Sequence, residues 1–155
     1  DASPDFVALY RDFVKNTVCP LFDEKIIFQK YPTFRVHQPN NIAVFAFHKD
    51  KEYNHNDKEI NFYLPITKAF GTNTFWFESE ENKGDFRPME GDYGDLIQWN
   101  GANLSHGNKI NETDKTRISF DFRVLSKKIY DISLPKNSKS KNKSFTIGDY
   151  YDVFE

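Results

Sequence analysis

The strict alternation of polar and apolar residues between positions 117 and 124 most constrains the fold of this chain. In a β-strand, successive side chains point to opposite faces. One face of this segment therefore carries Arg117, Ser119, Asp121 and Arg123, and the other carries Ile118, Phe120, Phe122 and Val124. The apolar face requires a hydrophobic core, and the polar face must line either solvent or a wet pocket.

Several further segments have the same strand character and are separated by turn residues. They span residues 25–29, 33–38, 42–48, 60–66, 73–78 and 95–99, and the chain contains 16 Phe residues. Glycines and the Pro39–Asn41 run separate these segments. The one good helical pattern is 3–16, where Ser3 can cap the helix and Pro4 suits its first turn. We therefore predict a mainly β protein, a jelly roll or barrel, with an N-terminal helix.

Composition limits the classes of protein to which the chain can belong. Its 155 residues predict a single domain over 1–155, and the net charge of −2 predicts neither nucleic-acid nor membrane-surface binding. Cys19 is the only cysteine, which excludes an internal disulfide and fits a cytoplasmic location. No stretch is apolar enough to cross a bilayer. The chain starts at Asp1 without Met, as expected of a trimmed N-terminus, and its oligomeric state cannot be read from the sequence.

Two histidines and an aspartate form the strongest candidate site. His48 and Asp50 stand two residues apart at the end of the predicted strand 42–48, so both should point to one face. His106 must come from another strand, and Gly101 and Gly107 beside it permit tight turns. Two imidazoles and one carboxylate are a ligand set that holds Fe(II) and leaves coordination positions open. The alternative is that both histidines are ordinary polar residues at strand ends.

A second His-x-Asp pair competes with the first. His55 and Asp57 have the same spacing, but they fall in the polar run 49–59, which reads as a loop. A ligand on a loop is less preorganised than one at the end of a strand. We therefore prefer His48 and Asp50, and we expect His55 to contact substrate or solvent.

The polar strand face predicts a pocket for a carboxylate. Arg117 presents a rigid fork that binds carboxylates in bidentate fashion, and Ser119 can add a hydrogen bond. Asn61 and Tyr63 share a face of the predicted strand 60–66 and can add an amide and a phenol. Thr74 and Trp76 are weaker candidates for the same cavity. The alternative is an exposed face with a cross-strand pair of arginine and aspartate. In either case we expect Asp121 to pair with Arg123 or Arg35.

Taken together, these motifs resemble a known enzyme family. His48-x-Asp50 is followed by E-I-N-F-Y-L-P-I-T, G-T-N-T-F-W-F-E-S, G-D-L-I-Q-W, His106 and R-I-S. The stretch Thr33 to Leu125 resembles the Fe(II)/2-oxoglutarate-dependent dioxygenases, in their phytanoyl-CoA dioxygenase-like branch. One departure is F-E-S-E at 77–80, where that branch usually has P-G-S-H.

The resemblance implies a double-stranded β-helix with a core at about 33–125. It implies Fe(II) on His48, Asp50 and His106, and 2-oxoglutarate on Arg117 and Ser119, with Asn61 and Tyr63 placed beside it by strand position only. Oxygen would be the co-substrate, and hydroxylation of a small polar metabolite (a sugar, an amino acid or a natural-product intermediate) would release succinate and CO2. Candidate substrate contacts are Arg35, Lys49, His55, Trp76 and Arg87. Two alternatives stay open: a cupin-type metal-dependent isomerase or epimerase, and a jelly roll that binds a ligand without catalysis.

Overall fold

The computed structural model describes residues 3–43, 46–134, 137 and 143–155. Among these residues nine strands form two antiparallel sheets, accompanied by two α-helices. The helices are α1 (Pro4–Phe13) and α2 (Lys127–Ile132). The strands are β1 (Ile26–Gln29), β2 (Thr33–His37), β3 (Ile60–Pro65), β4 (Phe75–Phe77), β5 (Arg87–Pro88), β6 (Ile97–Trp99), β7 (His106–Asn108), β8 (Arg117–Ser126) and β9 (Tyr151–Asp152). The prediction of a mainly β chain with an N-terminal helix is confirmed.

The larger sheet is built around the long strand β8. Its order is β6-β3-β8-β1-β9, and β2 also pairs with β8. On one side, β3 runs antiparallel to β8 with Tyr63 opposite Asp121. On the other side, β2 pairs with the first half of β8 and β1 with its second half. Because β8 has neighbours on both edges, its alternation sets the two faces of the whole sheet.

The two faces of the larger sheet are covered differently. Helix α1 lies on the apolar face, where Tyr10 and Val14 pack against Phe62, Phe122 and the neighbouring apolar side chains. This packing confirms the predicted apolar faces of 60–66 and 117–124. The helix itself is shorter than the predicted 3–16, because the backbone changes after Phe13 to a π-helical turn, Val14–Val18.

The smaller sheet packs against the opposite, polar face of the larger one. Its order is β5-β4-β7. Phe75 of β4 contacts Tyr63 edge-to-face at 5.1 Å between ring centroids, and Met89 belongs to the same buried cluster. The two arginines and the one carboxylate of β8 therefore lie between two sheets and not in solvent.

Several predicted elements differ from the structure. The strand expected at 42–48 does not form among its described residues; only His48 makes an isolated bridge, to His106, and residues 44–45 lie outside the described part of the chain. The short strands β5 and β9 were not predicted, and β7 was expected as the strand that carries His106 but without bounds. They have two or three residues each, too few to show a periodic pattern. Strand β9 pairs with β1 and brings the C-terminal tail onto the larger sheet.

Within the described residues, no helix has both the length and the apolar character needed to cross a membrane.

Candidate metal centre and pocket

His48 and His106 stand side by side because their backbones pair. The amide of each donates to the carbonyl of the other at 2.9 Å. His48 thereby pairs in antiparallel fashion with the edge of β7 that faces away from β4. The two imidazole centroids are 4.5 Å apart. Gly107 allows this approach, since a Cβ there would stand 2.9 Å from Phe47 Cδ2 and 3.0 Å from Phe47 Cα. The glycine is therefore needed for close contact between the segments and not for a turn.

Asp50 reaches the histidines from a different backbone conformation than expected. It begins a 3-10 turn, Asp50–Tyr53, and its amide donates to the Gly101 carbonyl at 3.0 Å. Its Oδ1 lies 3.7 Å from His48 Nε2 and 3.7 Å from His106 Nε2. The expected strand end is wrong, but the expected convergence of the three side chains is present.

The other carboxylate oxygen of Asp50 is fully engaged. Oδ2 accepts hydrogen bonds from Asn61 Nδ2 at 2.9 Å and from Arg123 Nε and Nη2 at 2.9 and 2.7 Å. Asn61 Oδ1 in turn accepts from the Gly101 amide at 3.1 Å. These contacts fix the carboxylate so that Oδ1, and not Oδ2, faces the imidazoles.

Both imidazoles are oriented by backbone carbonyls. His48 Nδ1 lies 2.8 Å from the Ala46 oxygen, and His106 Nδ1 lies 2.9 Å from the Leu104 oxygen. A carbonyl can only accept, so Nδ1 carries the proton in each ring and Nε2 presents its lone pair. This arrangement is typical of histidines that ligate a metal through Nε2.

Burial and charge keep these groups in the protonation states that a metal ion requires. Burial lowers the pKa of His106 to about 4, so the ring is neutral at pH 7. Burial by itself would raise the pKa of Asp50, but the Arg123 cation beside it and the hydrogen bond from Asn61 help hold that pKa well below its usual range. Neutral imidazole and ionised carboxylate are the ligating forms.

The three side chains fit a divalent transition-metal ion. Their ligand atoms lie within 4.8 Å of one another. Metal–ligand bonds of about 2.1 Å give ligand spacings of roughly 3.0–3.4 Å, close to the two 3.7 Å separations. A set of nitrogen and oxygen donors without thiolate is suited to such ions.

The competing pair His55 and Asp57 is not assembled. His55 Nδ1 lies 2.8 Å from Glu59 Oε2, and its ring packs on Phe145 at 4.4 Å between centroids. The Asp57 carboxylate is exposed beside Lys58. Among the described residues, the one cluster of His, Cys, Asp and Glu that could hold an ion is the set His48, Asp50 and His106.

A pocket opens between the two sheets beside this cluster. Its empty space is about 560 Å³ when the open solvent at its mouth is counted. Its wall combines aromatic and polar side chains: Arg35, His48, Asp50, Asn61, Tyr63, Phe75, Trp99, His106, Asn108, Arg117, Asp121 and Arg123. The prediction that the polar face of 117–124 lines a pocket is therefore confirmed, and so is the predicted pairing of Asp121 with Arg35.

Arg117 differs from the other two arginines of the pocket wall. Arg35 pairs with Asp121 and Arg123 with Asp50, whereas Arg117 makes no ion pair with any described residue. Its Nε donates to the Asn73 carbonyl at 3.1 Å and its Nη1 to Ser119 Oγ at 2.6 Å. Burial lowers its pKa, yet a guanidinium stays charged in proteins, so Arg117 is a buried cation with no ion-pair partner among the described residues.

The candidate substrate contacts are mostly elsewhere. Only Arg35 lines the pocket. Lys49 binds Glu81 and Asn82, Arg87 packs on Phe77, and the Trp76 indole donates to the Gly71 carbonyl at 3.0 Å. Thr74 bonds to the Met89 carbonyl. Arg123 was expected on the pocket face of β8, but its contact with Asp50 was not predicted. Trp99 and Asn108 were not predicted to line the pocket.

The fold and the site together define a β-sandwich with a histidine–carboxylate cluster in its cavity. No protein-family model matches the chain. It is 37% identical over 145 residues to the streptomycin biosynthesis protein StrG of Streptomyces griseus, an alignment that covers 94% of this chain and 68% of StrG. The chain therefore belongs to the same family as StrG.

Two solved structures share the fold at low identity. They are the nickel complex and the apo form of ThoJ, a non-heme monooxygenase, with TM-scores of 0.56 and identities of 15% and 13%. Each match covers 70% of this chain, which spans about half the length of ThoJ. At this identity the likeness extends to the fold alone.

These comparisons correct the family and cofactor predictions. The chain falls in the family of StrG, and it shares its fold with ThoJ. Assignment to the phytanoyl-CoA dioxygenase-like branch is therefore wrong. The activity and the cofactor set predicted from it, Fe(II) with 2-oxoglutarate and oxygen, are wrong as well. The structure also gives Asn61 another task, because its amide binds Asp50 and Gly101.

Proposed function

We propose that this protein is a metal-dependent enzyme of small-molecule biosynthesis, with a divalent transition-metal ion on His48 Nε2, Asp50 Oδ1 and His106 Nε2. The observation that carries the proposal is that these three atoms converge at the wall of a pocket. In each side chain the other polar atom (Nδ1 of the histidines, Oδ2 of the aspartate) is already hydrogen-bonded to the protein. A bound ion would act there as a Lewis acid on a substrate oxygen. Kinship with StrG, whose name places it in streptomycin biosynthesis, supports a biosynthetic role.

The proposed substrate is a small polar molecule that carries a carboxylate or phosphate. Arg117 supports this choice, because a buried cation is stabilised by a counter-charge and the described residues supply none within ion-pair distance. Arg117 uses two of its five N–H donors internally, so three remain for the substrate. The polar side chains of Asn108 and Asp121 favour a hydroxylated body over a bare hydrocarbon.

We further propose that the two sheets are the halves of a jelly roll. Antiparallel strands that face each other across a cavity are typical of that fold. In this arrangement β7, which carries His106, and β8, which carries Arg117, come from different sheets and both line one pocket.

The test measures binding of an anionic sugar. Protein loaded with Co(II) is titrated calorimetrically with glucuronate and with glucose 1-phosphate, and glucose serves as the neutral comparison. We expect at least one anion to bind more tightly than glucose, and removal of Co(II) to weaken that binding. Arg117→Met should cost at least tenfold in affinity for the anion, because a hydrogen bond to a charged group contributes about 1.5–3 kcal/mol.

Arg87→Met is the matched control. Arg87 is an exposed arginine that packs on Phe77 and does not line the pocket, so its loss should leave anion binding unchanged. The proposal is wrong if neither anion binds, or if Arg117→Met and Arg87→Met bind the anion equally well.

A further inference from the structure

Asn108 stands on the same strand face as His106. The two residues are separated by one position in β7, and side chains two apart on a strand point the same way. Both line the pocket. Asn108 lies opposite Phe75 of β4 in the sheet, and only 6% of its surface is exposed.

Asn108 also has an unused hydrogen-bond donor. Among the side chains that the structure describes, two buried polar atoms have no hydrogen-bond partner, and they are Asn108 Nδ2 and Trp99 Nε1. Both residues line the pocket, and the Trp99 ring stands perpendicular to that of His106 with centroids 4.8 Å apart. A buried donor without a partner costs about 1–3 kcal/mol, so native proteins rarely keep one. Two of them beside one candidate ligand indicate that something else accepts their hydrogens.

We propose that Asn108 and Trp99 form a subsite that binds a hydroxyl or carbonyl oxygen of the substrate next to His106. Both atoms are donors, so the group they bind must be an acceptor. Neither donor is charged, which suits a neutral oxygen, whereas the anionic group belongs to Arg117 on β8. The subsite thus selects substrates that carry an oxygen on the part of the molecule lying between the metal site and the anionic group held by Arg117. This inference rests on the proposed function for its ligand class.

The experiment has one arm with ligand and one without. In the first arm, Co(II)-loaded protein is titrated with glucuronate and with cyclohexanecarboxylate, a ring carboxylate without hydroxyls. Asn108→Leu should weaken glucuronate roughly five- to tenfold, the effect of one lost hydrogen bond, and leave cyclohexanecarboxylate unchanged. The affinity ratio of the two ligands, not either affinity alone, is the readout.

In the second arm, the melting temperature of the ligand-free protein is compared between two Asn→Leu variants. Asn108→Leu removes an unsatisfied donor and should raise the Tm by about 2–4 °C. Asn73→Leu is the matched control: it is equally buried, but its Oδ1 accepts from the Phe70 amide at 2.8 Å and its Nδ2 donates to the Lys68 carbonyl. That variant should lower the Tm.

Each outcome decides the inference. It is overturned if Asn108→Leu lowers the Tm as Asn73→Leu does, or if the affinity ratio is unchanged in Asn108→Leu. If the wild-type protein binds neither carboxylate nor glucose 1-phosphate, the substrate class proposed above is wrong. The Tm comparison then still decides the inference separately, since it needs no ligand.

Discussion

Replacement of Arg123 by methionine should destabilise the protein more than loss of any other arginine. Arg123 is buried, donates twice to Asp50 Oδ2 and lies 3.6 Å from Glu59 Oε2. Methionine preserves most of its volume but leaves both carboxylates without their cation. Removing one partner of a buried ion pair costs about 3–5 kcal/mol. For a chain of this length the cost corresponds to a fall in Tm of roughly 6–20 °C.

The assay is urea unfolding at pH 7, with the midpoint and the slope both fitted. An unchanged slope shows that the midpoint reports stability and not a change in the unfolded state. The control is Arg11→Met, which removes a half-exposed arginine that pairs with Asp152 and should cost no more than about 1 kcal/mol.

A double variant separates lost charge pairing from lost packing. Asp50→Asn in the Arg123→Met protein removes one of the two stranded carboxylates and should recover part of the loss. If Arg123→Met unfolds within about 1 kcal/mol of the wild type, or if Asp50→Asn adds its full single-variant cost, then Asp50 is not held by Arg123 as described.

Three further predictions address the same site. Because the pKa of His106 is about 4 in the folded protein and near 6.5 when unfolded, the unfolded state binds more protons between these values. Metal-free protein should therefore lose about 3 kcal/mol as pH falls from 6.5 to 4, and His106→Gln should flatten that slope in pH-dependent urea midpoints. Gly101→Ala places a Cβ 2.7 Å from Asn61 Nδ2, so it should destabilise the protein by about 1–3 kcal/mol and weaken Co(II) binding in a titration. Unchanged Co(II) affinity would contradict the role of Asn61 in holding the Asp50 carboxylate. Tyr151→Phe removes the hydrogen bond to buried Glu59 and should cost about 1–3 kcal/mol by thermal unfolding, and a neutral result would show that the tail does not support this network.

The regular strands were predictable because their alternating polar and apolar residues match the two different environments on their faces. β8 and β3 have one face against α1 and one face against the pocket, so alternation of residue type follows alternation of environment. The 42–48 segment has an apolar run, but among its described residues the one pairing is the bridge from His48 to His106 of β7. Propensity in a short segment is outweighed by such tertiary contacts.

The candidate metal ligands could be predicted from the sequence, but the residues that hold those ligands in place could not. His48, Asp50 and His106 are chemically distinctive residue types at recognisable spacings. Arg123 and Asn61, by contrast, reach Asp50 from strands far away in sequence, and no local pattern encodes that contact. The unsatisfied donors of Asn108 and Trp99 exist only as a result of packing. A short set of motifs also resembles more than one family, which is why the dioxygenase assignment failed although the ligand geometry formed.

The central claim is that His48, Asp50 and His106 hold one divalent ion, and anomalous diffraction from a crystal soaked in Co(II) tests it most directly. The predicted result is a single strong anomalous peak about 2.0–2.2 Å from His48 Nε2, Asp50 Oδ1 and His106 Nε2. A peak at His55 and Glu59 instead, or no peak within bonding distance of both His48 and His106, would contradict the claim.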